Sequence, residues 1–383
     1  MRVVHIVHGK VNPNGENGVS RVVYFLNKYQ KLLGVQSEIW AFVDGVKLPT
    51  TYKRDKFVTI EMYPRLTPFN RNNHPILKKF DSERENIDIV HFHMIWFVDK
   101  NILAGFLNKI DIPFVAMTHG TYSKPVSSKG VKKISAKYLL ELPFLNSANE
   151  LHILSANEGK SLVKYGANRP SFIVPNGIEI EEIPKEMKKD YFGDRAFDGK
   201  IKIGWIGVFR KDKNLELIIH SFKELQEETQ NRCHFIFMGP DHKGYKSTLI
   251  ELCDRLDCAN SFSFYDKVYK EDKYNALNSF DLYIMSSSSE GMSMAMLDAM
   301  ALGKPMVLTK GCNMSNYHSY DFFEECEPSP ISIASAIETL VARQKDWDVM
   351  GQNAKKLIDK VFNWEIITRQ LVEQYKRILS KYL

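Results

Sequence analysis

Short apolar runs rich in β-branched residues alternate with amphipathic stretches along the chain. VVHIVH (3–8) has the form of a strand buried on both faces. A loop rich in Gly, Asn and Pro, GKVNPNGENG, follows it. Next comes SRVVYFLNKYQKLLG, with Val22, Phe25, Leu26, Leu32 and Leu33 at helical spacing and Gly34 as a stop. Further strands are predicted at SEIWAF, DIVHFH, PFVAMTH, ELHILS and SFIVP, with helical patterns between several of them. Strands separated by helices predict a mainly parallel sheet covered on both faces.

The pattern then restarts. KIGWIGVF (202–209) reads as a strand, LELIIHSFKELQEE as a helix and CHFIFMGP as a strand. A helix at 245–257, the strand SFSFY, another helix, the strand DLYIMSS, the helical MSMAMLDAMALG and the strand PMVLT complete the series. Three helical stretches, 329–344, 347–361 and 365–382, close the chain. The polar segment EIPKEMKKDYFGDRAFDG (182–199) reads as a linker. The expected architecture is α/β, with two doubly wound domains. The first spans 1–190 and is joined by the C-terminal helix 365–383; the second spans 191–364. Ligands of such sheets bind beyond the carboxyl ends of the strands.

Composition narrows the classes. The 383 residues are 44% hydrophobic and 26% charged, which fits globular domains and excludes a disordered chain. No apolar run approaches the ~18 residues of a membrane-spanning helix. The opening MRVVHIVHGK has too short an apolar stretch to read as a signal peptide. The five cysteines, Cys233, Cys253, Cys258, Cys312 and Cys326, form no CxxC pair, so buried reduced thiols are expected rather than a zinc knuckle or disulfides. Of the net charge of +6, residues 1–180 hold 24 Lys+Arg against 15 Asp+Glu, so the basic excess lies in the first half. Such a half attracts nucleic acid, anionic lipid or phosphorylated substrates. Basic and aromatic residues mix at 63–80 (Tyr63, Arg65, Phe69, Arg71, Lys78, Lys79, Phe80). Five lysines, Lys124, Lys129, Lys132, Lys133 and Lys137, occupy 121–140. Both segments suit peripheral contact with an anionic bilayer, and no nucleic-acid-binding motif accompanies them.

The segment SSSSEGMSMAMLDAMALGKP (286–305) carries the strongest chemical signal. A strand ends at Met285, a Ser/Gly loop follows, and a helix is expected from near Met292. Free N–H groups at a helix start hold phosphate, aided by the helix dipole. Glu290 and Asp298 are eight residues apart, a span of up to about 12 Å at helical rise. Two carboxylates at that spacing can accept hydroxyls at both ends of a nucleotide-sugar.

This segment resembles the E-x7-E region of the retaining glycosyltransferases of family 4, which have the GT-B fold. Glu290-Gly291-Met292, Ala299-Met300-Ala301, Gly303 and Pro305 match in place, and Asp298 stands where the family has a second Glu. Other landmarks follow in family order and span almost the whole chain: Asn17-Gly18-Val19-Ser20, DIVHFHM (88–94), VAMTHGTY (115–122), SANEG (155–159) and VPNGIE (174–179). GVFRKDKNLELI (207–218) places Lys213 on the family lysine, whereas Val208 takes the place of the family arginine and Arg210 lies two residues on. Gly239-Pro240 resembles the family's GxGP turn.

The resemblance implies two Rossmann-like domains facing a central cleft. The implied enzyme is a hexosyltransferase that moves a sugar from a nucleoside diphosphate donor, UDP favoured over GDP-mannose, to a hydroxyl of a glycan or lipid-linked glycan with retention. Glu290, His119, Arg210 and Lys213 are the implied catalytic residues, and Gly18, Gly291, Met292, Ser293, Asp298 and Gly239 the donor-binding ones. Fixed positive groups aimed at the departing diphosphate supply the catalysis, so no metal and no cofactor is expected. His91 and His93 share a strand face but show no third ligand in the sequence. Asp346-Trp347-Asp348 has the letters of a metal-binding Asp-x-Asp but reads as an acidic helix start. A polysaccharide-biosynthetic role in the cytoplasm, with the chain at the inner face of the membrane, is the matching location. A nicotinamide oxidoreductase would need GxGxxG, which is absent. A nucleotide-sugar epimerase of the same fold and an inactive nucleotide-sugar-binding partner subunit are the remaining alternatives.

Overall fold

The computed structural model describes residues 1–12, 18–93, 97–122, 131–188, 190–193 and 199–381, the side chains of 131–133 excepted. The chain divides into two compact units, Met1–Gly177 with Trp364–Leu383, and Ile178–Asn363.

The first unit is an eight-stranded sheet. Its strands are β1 Arg2–His8, β2 Gln36–Phe42, β3 Thr50–Lys53, β4 Thr59–Tyr63, β5 Ile89–Phe92, β6 Phe114–Met117, β7 Glu150–Ile153 and β8 Ser171–Ile173. Their order is β3-β4-β2-β1-β5-β6-β7-β8, parallel throughout except that β3 runs antiparallel to β4. The winding reverses between β1 and β5, which makes their carboxyl ends the switch point of this sheet. β3 and β4 escape the hydrophobic pattern because β3 is a mostly exposed edge strand with the sequence TTYK. The helix Gly18–Leu32 follows β1 and packs against the last helix, Trp364–Leu379. Trp364 stacks on Phe25 at 5.6 Å. Gly177 lies against the same indole, where a Cβ would come within 2.7 Å of the ring, so only glycine fits.

The second unit has six parallel strands, β9 Ile201–Ile206, β10 Cys233–Met238, β11 Phe262–Tyr265, β12 Leu282–Met285, β13 Met306–Thr309 and β14 Phe323–Cys326. Their order is β11-β10-β9-β12-β13-β14, so the switch point lies between β9 and β12. β14, with the sequence FEEC, escapes the pattern because two of its four residues are charged. Part of the expected linker is tied to this unit. Lys188 N–H donates to Asn275 Oδ1 at 2.9 Å, Tyr191 N–H donates to Ser279 Oγ at 2.9 Å, and Phe192 meets Tyr265 and Phe280. All five cysteines are buried and unpaired. Asp346 precedes the helix Trp347–Leu357 without a capping bond from its side chain and lies 3.4 Å from Arg343, a surface arrangement.

The basic segment 63–80 is less cationic in the fold than in the sequence. Arg65 is held by Asp99 and Asp44, and Lys79 by Glu61 at 2.6 Å. Tyr63 and Phe80 belong to the core, which leaves Phe69 as the exposed aromatic of the segment. Lys124 and Lys129 lie outside the described residues.

The first sheet buries an unusual layer. His5 on β1 pairs in register with His91 on β5, and His93 follows two residues later on the same face. His152 on β7 completes a set of four fully buried imidazoles. Burial holds His5 and His152 at about 4, and His91 and His93 well below the usual range, so all four are neutral. An unfolded histidine titrates near 6.5. Their stabilising contribution is therefore whole above that pH and is lost as pH falls toward about 4, because the unfolded chain binds protons the folded one refuses. At pH 5.5, a unit below the free value, each such histidine costs on the order of 1 kcal/mol and the set several, a large fraction of the stability of a domain. Thermal unfolding should show a Tm that drops steeply between pH 7.5 and 5.5; a flat profile would contradict a neutral cluster.

Candidate active site

In the second unit, the two loops that carry the predicted chemistry leave adjacent strands at the switch point. β9 runs into 207–213 and β12 into 286–293. This brings Lys213 Nζ to 2.6 Å from Glu290 Oε1, with both side chains largely buried. Ser287 Oγ donates to the same carboxylate oxygen. The backbone of Glu290 is fixed as well: its N–H donates to Gly311 O at 2.8 Å, and its carbonyl accepts from Asn313 Nδ2. Lys213 is placed by a short turn that ends at Asn214 in the left-handed region (φ 52). Ser286 Oγ donates to the carbonyls of Lys213 and Asn214, which ties the two loops together.

Two glycines make this packing possible. Gly239 has φ +154, and a Cβ there would lie 1.6 Å from Gly207 O; the loop after β9 thus runs hard against the end of β10. A Cβ on Gly311 would lie 2.3 Å from Ser287 O. The sequence flagged Gly239 through its Gly-Pro turn but gave no sign of Gly311 or Asn313, whose role depends on β13 lying beside β12; Ser287 lies within the Ser/Gly loop that the sequence marked.

The remaining predicted residues fall as follows. Arg210 is held in a bidentate pair by Asp212 and is within electrostatic range of Glu290. Gly291 and Met292 stay in the loop, and the helix starts at Met294, two residues later than expected. Ser293 caps it by accepting from Met296 N–H at 3.4 Å. A non-helical stretch therefore separates Glu290 from the helix, and helical rise does not measure its distance to Asp298. Asp298 is buried, with Oδ2 2.7 Å from Lys273 Nζ and Oδ1 3.4 Å from Tyr274 OH. Lys273 was not legible in the sequence, because it sits on a separate helix, Lys270–Asn278.

In the first unit, Gly18 opens the helix after β1, and Asn17 lies outside the described residues. His119 follows β6 with φ 50, a left-handed conformation rare for a side chain of its size, and Gly120 follows with φ 74. Glu158 braces this strained turn. Its carboxylate accepts from Thr118 Oγ1, from Gly120 N–H at 2.7 Å and from Leu154 N–H at 2.8 Å. Ser155 and Glu158 have capping-box spacing; Ser155 caps the helix, and Glu158 turns to the His119 loop. That spacing could have identified Glu158. His119 is half-buried, and desolvation lowers its pKa.

The pattern for Glycosyl transferases group 1 matches residues 187–357, and that for Glycosyltransferase Family 4 matches residues 16–182. The chain belongs to the GT-B glycosyltransferases of this family. An uncharacterised glycosyltransferase of Methanocaldococcus jannaschii is 25% identical over 342 residues, covering 86% of this chain and 84% of the relative. The N-acetyl-alpha-D-glucosaminyl L-malate synthase of Bacillus anthracis is 24% identical, covering 78% and 75%. Sucrose-phosphate synthase from Thermosynechococcus elongatus superposes with a TM-score of 0.77 at 13% identity, covering 100% of both chains. Anabaena HepE in complex with UDP gives 0.74 at 16% identity, covering 98% of this chain and 100% of that one. These structural likenesses establish the fold, and with the family match they make the protein a glycosyltransferase.

The Lys273–Asp298 pair gives this transferase a testable dependence. Removing the ammonium leaves a buried carboxylate uncompensated, which costs about 3 kcal/mol, the low end for buried pairs because Lys273 is partly exposed. Lys273→Met should lower Tm by roughly 6–12 °C, and adding Asp298→Asn should recover most of that loss. Equal Tm values for Lys273→Met and wild type would show that the pair is energetically idle.

Proposed function

We propose that the transferase moves a hexosyl unit from a nucleoside diphosphate sugar, UDP preferred, to a hydroxyl of a glycan or lipid-linked glycan, with retention at the anomeric carbon. The Lys213–Glu290 ion pair at the sheet switch point carries this reading. Support for the donor class comes from solved relatives in fold: HepE was crystallised with UDP-glucose, and an Escherichia coli trehalose-6-phosphate protein with UDP-2-fluoro glucose.

As the bond from the anomeric carbon to the diphosphate breaks, its electrons pass to the leaving oxygen and the ring becomes oxocarbenium-like. The acceptor oxygen forms the new bond, and its proton passes to the departing diphosphate oxygen. Lys213, Arg210 and the exposed N–H groups ahead of Met294 meet the negative charge on the diphosphate. That set of donors works without a divalent metal or other cofactor. Glu290 orients donor hydroxyls and offsets positive charge on the ring; Lys213 pairs with it until the diphosphate competes for the ammonium. Asp298 takes the ribose hydroxyls in exchange for its contact with Tyr274. Gly18, Gly239 and Gly291 let backbone approach the donor, Met292 lies beside it, and His119 contacts the sugar.

A panel of nucleotide sugars tests the proposal by thermal shift and donor hydrolysis. One UDP-sugar should stabilise the protein and turn over, with or without a metal chelator. Lys213→Ala should then lower kcat at least tenfold, a loss of ~1.4 kcal/mol in transition-state stabilisation. If no nucleotide sugar shifts the Tm or turns over, the donor reading fails; if the variant keeps its kcat, Lys213 has no role in the step.

A lipid-linked acceptor would place the chain at the inner face of an anionic membrane. No helix among the described residues is long and apolar enough to cross one. Support for surface contact comes from exposed Tyr138 and Leu139 beside Lys137. Co-sedimentation with anionic vesicles at low salt should retain the protein, and neutral vesicles should not; equal recovery with both would exclude this placement.

A further inference from the structure

Five histidines of the first unit form two hydrogen-bonded chains, and the direction of each follows from the group on which it ends. Val174 O can only accept, so His152 Nε2, 2.7 Å away, carries hydrogen and His152 Nδ1 is bare. His91 Nε2 lies 3.4 Å from that bare nitrogen. It must also carry hydrogen, since the alternative sets two lone pairs face to face in a dry interior. His91 Nδ1 is then bare and accepts from Tyr375 OH at 2.5 Å. With its hydrogen committed, the Tyr375 oxygen can only accept.

Gln30 anchors the other three histidines. Asn27 Nδ2 donates to Ser37 Oγ at 2.8 Å, so the Ser37 hydroxyl gives its hydrogen to Gln30 Oε1 at 2.6 Å, and the same oxygen faces His5 Nε2 at 2.7 Å. The second chain now has a direction. His5 Nε2–H donates to Gln30, His93 Nε2–H donates to His5 Nδ1 at 2.8 Å, and His119 Nε2–H donates to His93 Nδ1 at 3.1 Å. A metal is the obvious rival, because His5, His91 and His93 each bring a nitrogen within 4.8 Å of the others. Two tetrahedral zinc ligands at 2.0–2.1 Å sit about 3.3 Å apart, whereas His5 Nδ1 and His93 Nε2 are at hydrogen-bond distance, 2.8 Å. The spacing is that of a shared proton.

We propose that Gln30 is a positioning residue that holds His119 as its Nε2–H tautomer, leaving Nδ1 as a bare acceptor. His119 is the one member of the relay that is not fully buried, so it is where the relay meets ligand. A neutral imidazole with a bare Nδ1 takes a hydrogen bond from a hydroxyl and offers nothing to a phosphate oxygen. The hydroxyl partner follows from the glycosyl-transfer reading; the tautomer itself does not depend on it. The helix Gly18–Leu32 thereby reaches the ligand-facing histidine through Gln30, His5 and His93.

Long-range 1H–15N correlation on the full chain labelled with 15N-histidine reads the tautomers directly, with His119→Asn to assign His119. At pH 7.5 His5, His91, His93, His119 and His152 should all be neutral and protonated at Nε2. Gln30→Met, which removes the anchor, should shift His119 to a mixture with the Nδ1–H form. Protonation of His119 at Nδ1 in the wild type overturns the proposal, as does an unchanged single tautomer in the folded Gln30→Met protein. Loss of the Nε2–H signals on stoichiometric zinc uptake overturns it as well. Should that variant fail to fold, the wild-type spectrum alone decides. The measurement uses no donor, so it stands or falls apart from the donor reading.

Discussion

The Lys213–Glu290 ion pair joins the two loops at the switch point of the second sheet, and the site is organised around it. In a doubly wound parallel sheet, neighbouring strands on either side of the reversal send their loops apart to opposite faces, which opens a crevice at their carboxyl ends. A cation from one loop and a carboxylate from the other meet only there. Around the pair, Ser287 bonds the same carboxylate oxygen of Glu290 while Gly311 and Asn313 bond its backbone, so the residue is held at both side chain and backbone. Preorganisation of this kind is what makes fixed charge effective against a charge that develops during reaction.

The departures from the family pattern are local. Val208 stands in the place of the family arginine, and Arg210, two residues on, is shared with Asp212. Asp298 replaces a glutamate with a side chain one methylene shorter, and Lys273 and Tyr274 reach it from another helix. In each case the charge type is retained and a neighbour makes up the geometry. The backbone constraints are strict by contrast: Gly239 and Gly311 both meet carbonyl oxygens at distances no Cβ tolerates.

The first unit solves a different problem. Four imidazoles buried in a sheet are costly unless each polar nitrogen finds a partner. Here they supply one another, and the chains end on groups from three other elements: Val174 after β8, Gln30 on the first helix and Tyr375 on the last. The return of the chain's last helix to this unit is therefore chemical as well as architectural.

The periodicities 2.0 and 3.6 are local, and they were enough to read two successive α/β series, most strands to within two residues, and the loops that carry Lys213, Glu290 and His119. The edge strands β3 and β14 escaped because an exposed or charged strand has no apolar signature. The start of the helix at Met294 was misplaced because Ser293 shows itself as a cap only through its bond to Met296. What the sequence by itself determined is which residue types stand at strand ends. Which of them meet was decided by the tertiary structure: Lys213 and Glu290 lie 77 positions apart, Lys273 and Asp298 25, and His91 and Tyr375 284. Such pairs form through strand order and register, which place distant segments side by side at about 4.8 Å, and no local pattern encodes that order.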